Sequence, residues 1–171
     1  MLYPFNGKRP QLHASVYVHA SAQIIGDVVI AADSSVWPNV VVRGDVGPIR
    51  IGARSNIQDN STVHVTRDRF GTIIGDDVTA GHNVTLHGCT IGNLCLIGIG
   101  AIVLDGVEVG DECLVGAGAL LTPGTKIPPR QLVLGSPAKI VRPLHDDELA
   151  HLRQSAQNYL EHARAYRAQG V

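Results

Sequence analysis

Three histidines, His64, His82 and His87, lie close together in the chain, within the stretch from Val63 to Cys89. Imidazole is the commonest side-chain metal ligand and the group best suited to proton transfer near neutral pH. His82 sits in Ala80-Gly81-His82-Asn83 and His87 in Leu86-His87-Gly88-Cys89. Three such rings are either a metal site or three surface side chains. The repeat that carries them decides which.

That repeat is six residues long. Its clearest units are Ile25-Gly26-Asp27, Ile51-Gly52-Ala53, Ile74-Gly75-Asp76, Ile91-Gly92-Asn93, Val109-Gly110-Asp111 and Val115-Gly116-Ala117. The same phase places Ile57, Val63, Leu86, Ile97, Val103, Leu121, Ile127 and Val133, with small or branched side chains four positions later. A sustained six-residue period is the mark of a parallel β-helix. Each hexad supplies a short strand and a corner, the anchor aliphatic points inward, and the glycine is expected to permit the turn. Three hexads close a triangular coil of about 18 residues, and coils stack at about 4.8 Å. Roughly seven coils fit between Leu12 and Ala138.

The expected division is an irregular lead-in at 1–11, broken by Pro4, Gly7 and Pro10; a β-helix over 12–142; and a helix over 143–171. Asp146 or Asp147 can cap that helix, with Glu148 in its first turn. Leu149, Leu152, Ala156, Tyr159, Leu160, Ala163 and Tyr166 give it an apolar face to lay on the solenoid or on a neighbouring subunit. The rhythm breaks in three places: Gly47-Pro48 adds two residues, an excursion of five falls within Thr66–Thr72, and the step from Leu86 to Ile91 is one short. Breaks in a solenoid mark loops, which often carry function.

His64 and His87 each follow an anchor and are 23 residues apart. One coil plus the five-residue excursion accounts for that spacing, so the two rings should stack on one edge and can share an ion at metal–nitrogen distances of about 2.0–2.1 Å. His82 lies five residues before His87. An extended run of that length spans roughly 16 Å, which puts His82 near another corner. It can join the same ion only from a second chain, which suits a cyclic trimer with sites between subunits. The same arithmetic places Arg43, one coil below Val63, and so Arg43-Gly44-Asp45 beneath His64. It also places Gln58 and Asp59 beneath Gly81 and His82. Arg43 and Asp45 can pair across the subunit boundary.

Composition excludes other classes. Net charge is −1, charged residues are 17 % and aromatics 4 %, which leaves no electrostatic footprint or stacking platform for nucleic acid or an anionic membrane. The three cysteines, Cys89, Cys95 and Cys113, form no paired motif and fall at or near inward positions, where they read as core. The N-terminus has no apolar signal core, and no apolar run is long enough to span a bilayer, so a cytoplasmic protein is expected.

Taken together, Arg43-Gly44-Asp45, Asn56-Ile57-Gln58-Asp59, His64, Gly81-His82, Leu86-His87-Gly88-Cys89 and Leu134-Gly135-Ser136-Pro137-Ala138-Lys139 resemble the γ-class carbonic anhydrase family of hexapeptide-repeat proteins. The resemblance runs from about Val18 to Tyr166. It implies a left-handed β-helix, a homotrimer, and Zn2+ (alternatively Fe2+ or Co2+) held by His64 and His87 of one subunit and His82 of the next. It also implies an interfacial Arg43–Asp45 pair, Asn56 and Gln58 near metal-bound solvent, and a helix tyrosine, here Tyr159, reaching the site. The expected reaction is reversible hydration of CO2 to bicarbonate by a metal-bound hydroxide. Active members carry an acid after the Arg-Gly-Asp and an acidic loop after the first histidine. Here Val46 and a loop whose only acid is Asp68 stand there, so low turnover is expected. Coenzyme A-dependent acyl transfer or thioester hydrolysis, and a metal-stabilised trimeric scaffold, are the alternatives.

Overall fold

The computed structural model describes residues 1–170. It is a left-handed parallel β-helix of about seven turns with one C-terminal helix. Three columns of aliphatic side chains run up its interior, one per face. The first is Ile24, Val42, Val63, Leu86, Val103 and Leu121, each paired in register with the next. The second is Val36, Ile57, Ala80, Ile97, Val115 and Val133. The third is Ile30, Ile51, Ile74, Ile91, Val109 and Ile127. All are buried, and each large side chain contributes roughly 1.5–3 kcal/mol of burial. Register follows, because slipping one residue would turn a whole rung of anchors into water. The strand Val41–Ile51 rounds a corner and pairs with both Thr62–His64 and Thr72–Ile74, which joins two faces into one 12-stranded sheet. The third face is the 8-stranded sheet.

The glycine after the anchor does a different job from the one expected. Gly52 and Gly92 do not adopt left-handed backbone; a Cβ on them would lie 2.4 Å from Asp76 Oδ1 and 2.5 Å from Asp111 Oδ1. These glycines let successive coils approach. The left-handed residues that turn the corner come two positions later, at Arg54 (φ 55), Asp77 (φ 57), Leu94 (φ 52) and Glu112 (φ 57).

The insertion near Gly47-Pro48 adds three residues, not two. Gly26 pairs with Gly44, an offset of 18, but Val28 pairs with Ile49, an offset of 21. Val42 therefore lies beneath Val63, and Arg43 is level with His64. The lead-in is also more ordered than its prolines suggest. Leu2–Tyr3 and Gln11–Leu12 both pair parallel to Gln23–Ile30, giving partners to an edge that would otherwise be open. At the other end Ala138–Pro143 returns antiparallel to Gln131–Gly135 and does not continue the coil.

Helix α1 (Asp146–Gln169) has His145 in the N-cap position, one residue before Asp146, the first of the two expected caps. The Glu148 side chain accepts from the His145 backbone N–H at 2.8 Å and from Arg142 at 2.7 and 2.9 Å. The Arg142 guanidinium holds the Glu148 carboxyl down at about 2. The helix lies along its own solenoid, on the face made by Tyr17–Val18, Ser35–Val36, Asn56–Ile57 and Thr79–Ala80. There Trp37 packs edge-on against Tyr159 and Tyr166, at centroid distances of 5.4 and 5.1 Å. The three cysteines are free and buried. Burial pushes the Cys89 thiol up to about 12, which fits a core role. Among the described residues no helix is long and apolar enough to cross a membrane.

Candidate metal centre

Thr62–His64 and Thr85–His87 are adjacent rungs, with His64 directly opposite His87. His64 Nδ1 lies 3.0 Å from His87 Nε2, and the ring centroids are 5.0 Å apart. Each ring turns its other nitrogen to a carboxylate. His64 Nε2 is 3.1 Å from Asp45 Oδ1, and His87 Nδ1 is 2.7 Å from Asp105 Oδ1.

This chain of four groups has three contacts, but two neutral imidazoles carry only two N–H protons. If both outer contacts are hydrogen bonds to carboxylates, the inner nitrogens face each other with lone pairs. Burial is the largest influence on His64 and lowers its pKa, against the opposing pull of Asp45; the ring thus favours its neutral form. Burial alone would raise the Asp45 carboxyl, but hydrogen bonds from Arg43 and His64 outweigh it and leave the pKa lowered. Two lone pairs so placed, flanked by carboxylates, are what a cation would use. A tetrahedral ion at about 2.0–2.1 Å from each nitrogen separates two ligand nitrogens by about 3.3 Å, a few tenths more than observed, so the pair fits a metal.

Arg43 pairs with Asp45 of the same chain. The two residues are two apart on one strand, and both line the edge that carries His64.

The remaining expected residues gather on a different edge. His82 Nδ1 is 3.0 Å from Asp59 Oδ2, with 40 % of the His82 side chain exposed. Gln58 is buried; its Nε2 donates to Asn56 Oδ1 at 3.0 Å, and Asn56 Nδ2 donates to Thr79 Oγ1 at 3.0 Å. That bond fixes the Gln58 amide and leaves Oε1 as its acceptor. Tyr159 stands on the helix packed over Asn56–Ile57, against Trp37 at 5.4 Å; burial raises its pKa, and the Asp59 carboxylate adds to the shift. One protomer thus carries two separate sets, His64, His87, Arg43 and Asp45 on one edge and Asn56, Gln58, His82 and Tyr159 on another. Among the described residues no group of three or more His, Cys, Asp or Glu side chains is gathered closely enough to hold a metal within one chain.

Sequence reasoning missed Asp105, Thr66 and Thr72. Asp105 lies 18 residues past His87, but the coil advances by only 17 there, with Leu86 opposite Val103, so Asp105 stacks over Gly88 and regular coil spacing points to Leu104 instead. Thr66 Oγ1 donates to Asp105 Oδ2 at 2.7 Å and Thr72 Oγ1 to the His64 carbonyl at 2.5 Å. These two bracket the excursion, whose conformation no periodicity specifies. The loop and the strand beneath it wall a cleft of about 780 Å³ beside Asp45, lined in part by Lys8, Pro48, Arg67, Arg69 and Phe70.

Residues 88–123 match the family described as "Bacterial transferase hexapeptide (six repeats)" and residues 48–87 that described as "Hexapeptide repeat of succinyl-transferase". Over 99 % of its length the chain is 51 % identical to Protein YrdA of Escherichia coli, covering 96 % of that protein. It is 47 % identical to a carbonic anhydrase of Geobacillus kaustophilus, over 98 % of this chain and 92 % of the relative. It is also 45 % identical to gamma carbonic anhydrase 1, mitochondrial, of Arabidopsis thaliana, over 96 % of this chain and 62 % of the plant protein. The chain belongs to the γ-carbonic-anhydrase-like family. The repeat match and the solenoid are what this family shares with hexapeptide transferases.

Proposed function

We propose that the protein is a γ-class carbonic anhydrase that hydrates CO2 reversibly to bicarbonate in a homotrimer. His64 and His87 of one protomer and His82 of the next would hold a divalent metal, zinc or alternatively iron or cobalt. The observation that carries this reading is the 3.0 Å contact between His64 Nδ1 and His87 Nε2, with both outer nitrogens on carboxylates. The identity to carbonic anhydrases supports the reaction class. A metal bound there would lower the pKa of coordinated water to about 7.

The chain's own groups supply orientation. Asp45, held by Arg43, and Asp105 keep the two paired rings turned to each other. Gln58 Oε1 is the acceptor that would hold a hydroxyl proton beside the metal, with its amide locked by Asn56. Tyr159, whose raised pKa keeps it a phenol, can donate to a bicarbonate oxygen. No acid follows Asp45, and Asp68 is the only acid in the 66–72 loop, so protons leave through solvent. Stopped-flow CO2 hydration, with metal analysis and light-scattering mass on protein purified without air, tests the reading. A metal-loaded trimer whose turnover rises with added imidazole buffer is expected. A metal-loaded trimer with no turnover above background overturns it.

Acyl transfer or thioester hydrolysis with coenzyme A has one observation in its favour. Asp59 takes His82 Nδ1, leaving Nε2 free as an oriented general base would be. Thioester hydrolysis or acyl transfer that is lost in His82→Asn while coenzyme A still binds would favour this second reading.

A further inference from the structure

We propose that Asp105 is a positioning residue for the metal pair, setting the His87 tautomer from one coil above, and that both ends of the 66–72 excursion are tied to the pair so as to hold it. The inference rests on the metal-binding reading above.

Asp105 Oδ1 sits 2.7 Å from His87 Nδ1. A carboxylate can only accept, so the ring proton must be on Nδ1 and the lone pair on Nε2, the nitrogen facing His64. The carboxylate is itself fixed: its second oxygen accepts from Thr66 Oγ1 at 2.7 Å. Room for this arrangement is built into the backbone. Gly88 has φ +59, and a Cβ there would lie 2.3 Å from Asp105 Oδ1 and 2.9 Å from Phe70 Cβ. The missing residue between Leu86 and Ile91 makes this corner tight, and glycine lets Asp105 close down onto it from the coil above.

The far end of the excursion is tied to the other ring's strand. Thr72 Oγ1 donates to the His64 carbonyl at 2.5 Å and accepts from the Gly88 N–H at 3.0 Å. Thr66 therefore holds the carboxylate that orients His87, while Thr72 links the backbone of His64 to that of Gly88. Phe70 packs over Gly88 and Gly106. The five extra residues form a brace across the two rungs that carry the pair.

The test is histidine-selective 15N spectroscopy of the metal-free full chain, above the usual imidazole pKa, paired with titration by Zn2+ alone. Wild-type His87 is expected to carry its proton on Nδ1. Asp105→Ala should move that proton to Nε2 and weaken zinc binding by roughly 10–100-fold. Asp105→Asn, which keeps an acceptor oxygen, should restore the wild-type tautomer. Circular dichroism checks the fold; if Asp105→Ala does not fold, Thr66→Val carries the test, with a mixture of His87 tautomers expected. A wild-type ring protonated on Nε2, or a tautomer that neither Asp105→Ala nor Thr66→Val changes, overturns the proposal. If wild-type protein takes up no zinc, the metal reading fails, and the tautomer result still decides the role of Asp105.

Discussion

Two corners of the same solenoid carry histidine, and they are built differently. At one, His64 and His87 occupy adjacent rungs, each outer nitrogen on its own carboxylate, with a loop tied to both rungs. At the other, His82 stands alone on one carboxylate with a substantially exposed side chain. The hexads are alike. The difference lies where the period breaks, because the five-residue excursion and the shortened step both fall at the paired corner. A repeat makes equivalent positions, and an irregularity makes one of them distinct.

The sharpest way to break the contrast is to remove one ring from each corner. Sharing the roughly 10–16 kcal/mol of a structural zinc site among four ligands gives about 3 kcal/mol per ligand. His87→Ala should thus lose roughly 100-fold or more in zinc affinity. His82→Ala should lose a similar amount in the assembled protein but leave a weak, two-imidazole affinity in dissociated chains. Isothermal titration at concentrations above and below assembly separates the two. Equal residual affinity in both dissociated variants would show that the paired corner has no privilege.

Next in size is the backbone. Gly88→Ala forces φ +59 on an alanine and drives a Cβ to 2.3 Å from Asp105 Oδ1. A cost of about 2 kcal/mol is expected, read as a lowered melting temperature. Gly81→Ala, beside His82, brings a Cβ to 3.0 Å from the Ile99 nitrogen without a left-handed φ. It should cost less.

A pH series sharpens the contrast further. The folded pKa of His64 lies below its ordinary 6.5. The unfolded chain therefore binds more protons in the window just below 6.5, so the contribution of His64 to stability is present above 6.5 and lost as pH falls toward the folded value. Asp45 acts in the same direction lower down: its pKa is held below 3.8, and its contribution fades once pH falls beneath that. Denaturant midpoints between pH 7 and 3 should decline in two stages, and His64→Gln should remove the first.

The smallest effect belongs to the single-histidine corner. The Asp59–His82 pair is partly exposed, and such pairs contribute about 0–1 kcal/mol. Asp59→Asn should shift the unfolding midpoint by no more than that. A larger shift would mean this corner is as tightly built as its counterpart.

Much of this was legible in the chain. Branched aliphatics every sixth residue leave one way to bury them, and that fixes the coil, the columns and the stacking of His64 on His87. The separation of His82 followed from the reach of five extended residues. What failed had local physical causes. The third inserted residue before Ile51 leaves no mark in the sequence because Val41–Ile51 continues as one bent strand. The edge strands at Leu2–Tyr3 and Gln11–Leu12 carry no periodicity, since pairing with an exposed edge needs backbone and not pattern. The helix cap came one residue early because Glu148 reaches back to His145. Asp105 is hidden because the shortened step after Leu86 makes the coil 17 residues long there, with Leu86 opposite Val103, which moves Asp105 one place off the position a regular coil sets above His87.

The return strand Ala138–Pro143 has a further consequence. A coil that ends on a parallel rung offers its last row of peptide groups to the first row of another molecule, and nothing in the period says when to stop. Reversing direction puts a strand of opposite polarity over the last rung of one face, while Leu120–Leu121 and Lys126–Ile127 end the other two. A chain cut after Gly135 would leave all three faces ending on an uncovered parallel rung, where the intact chain leaves two.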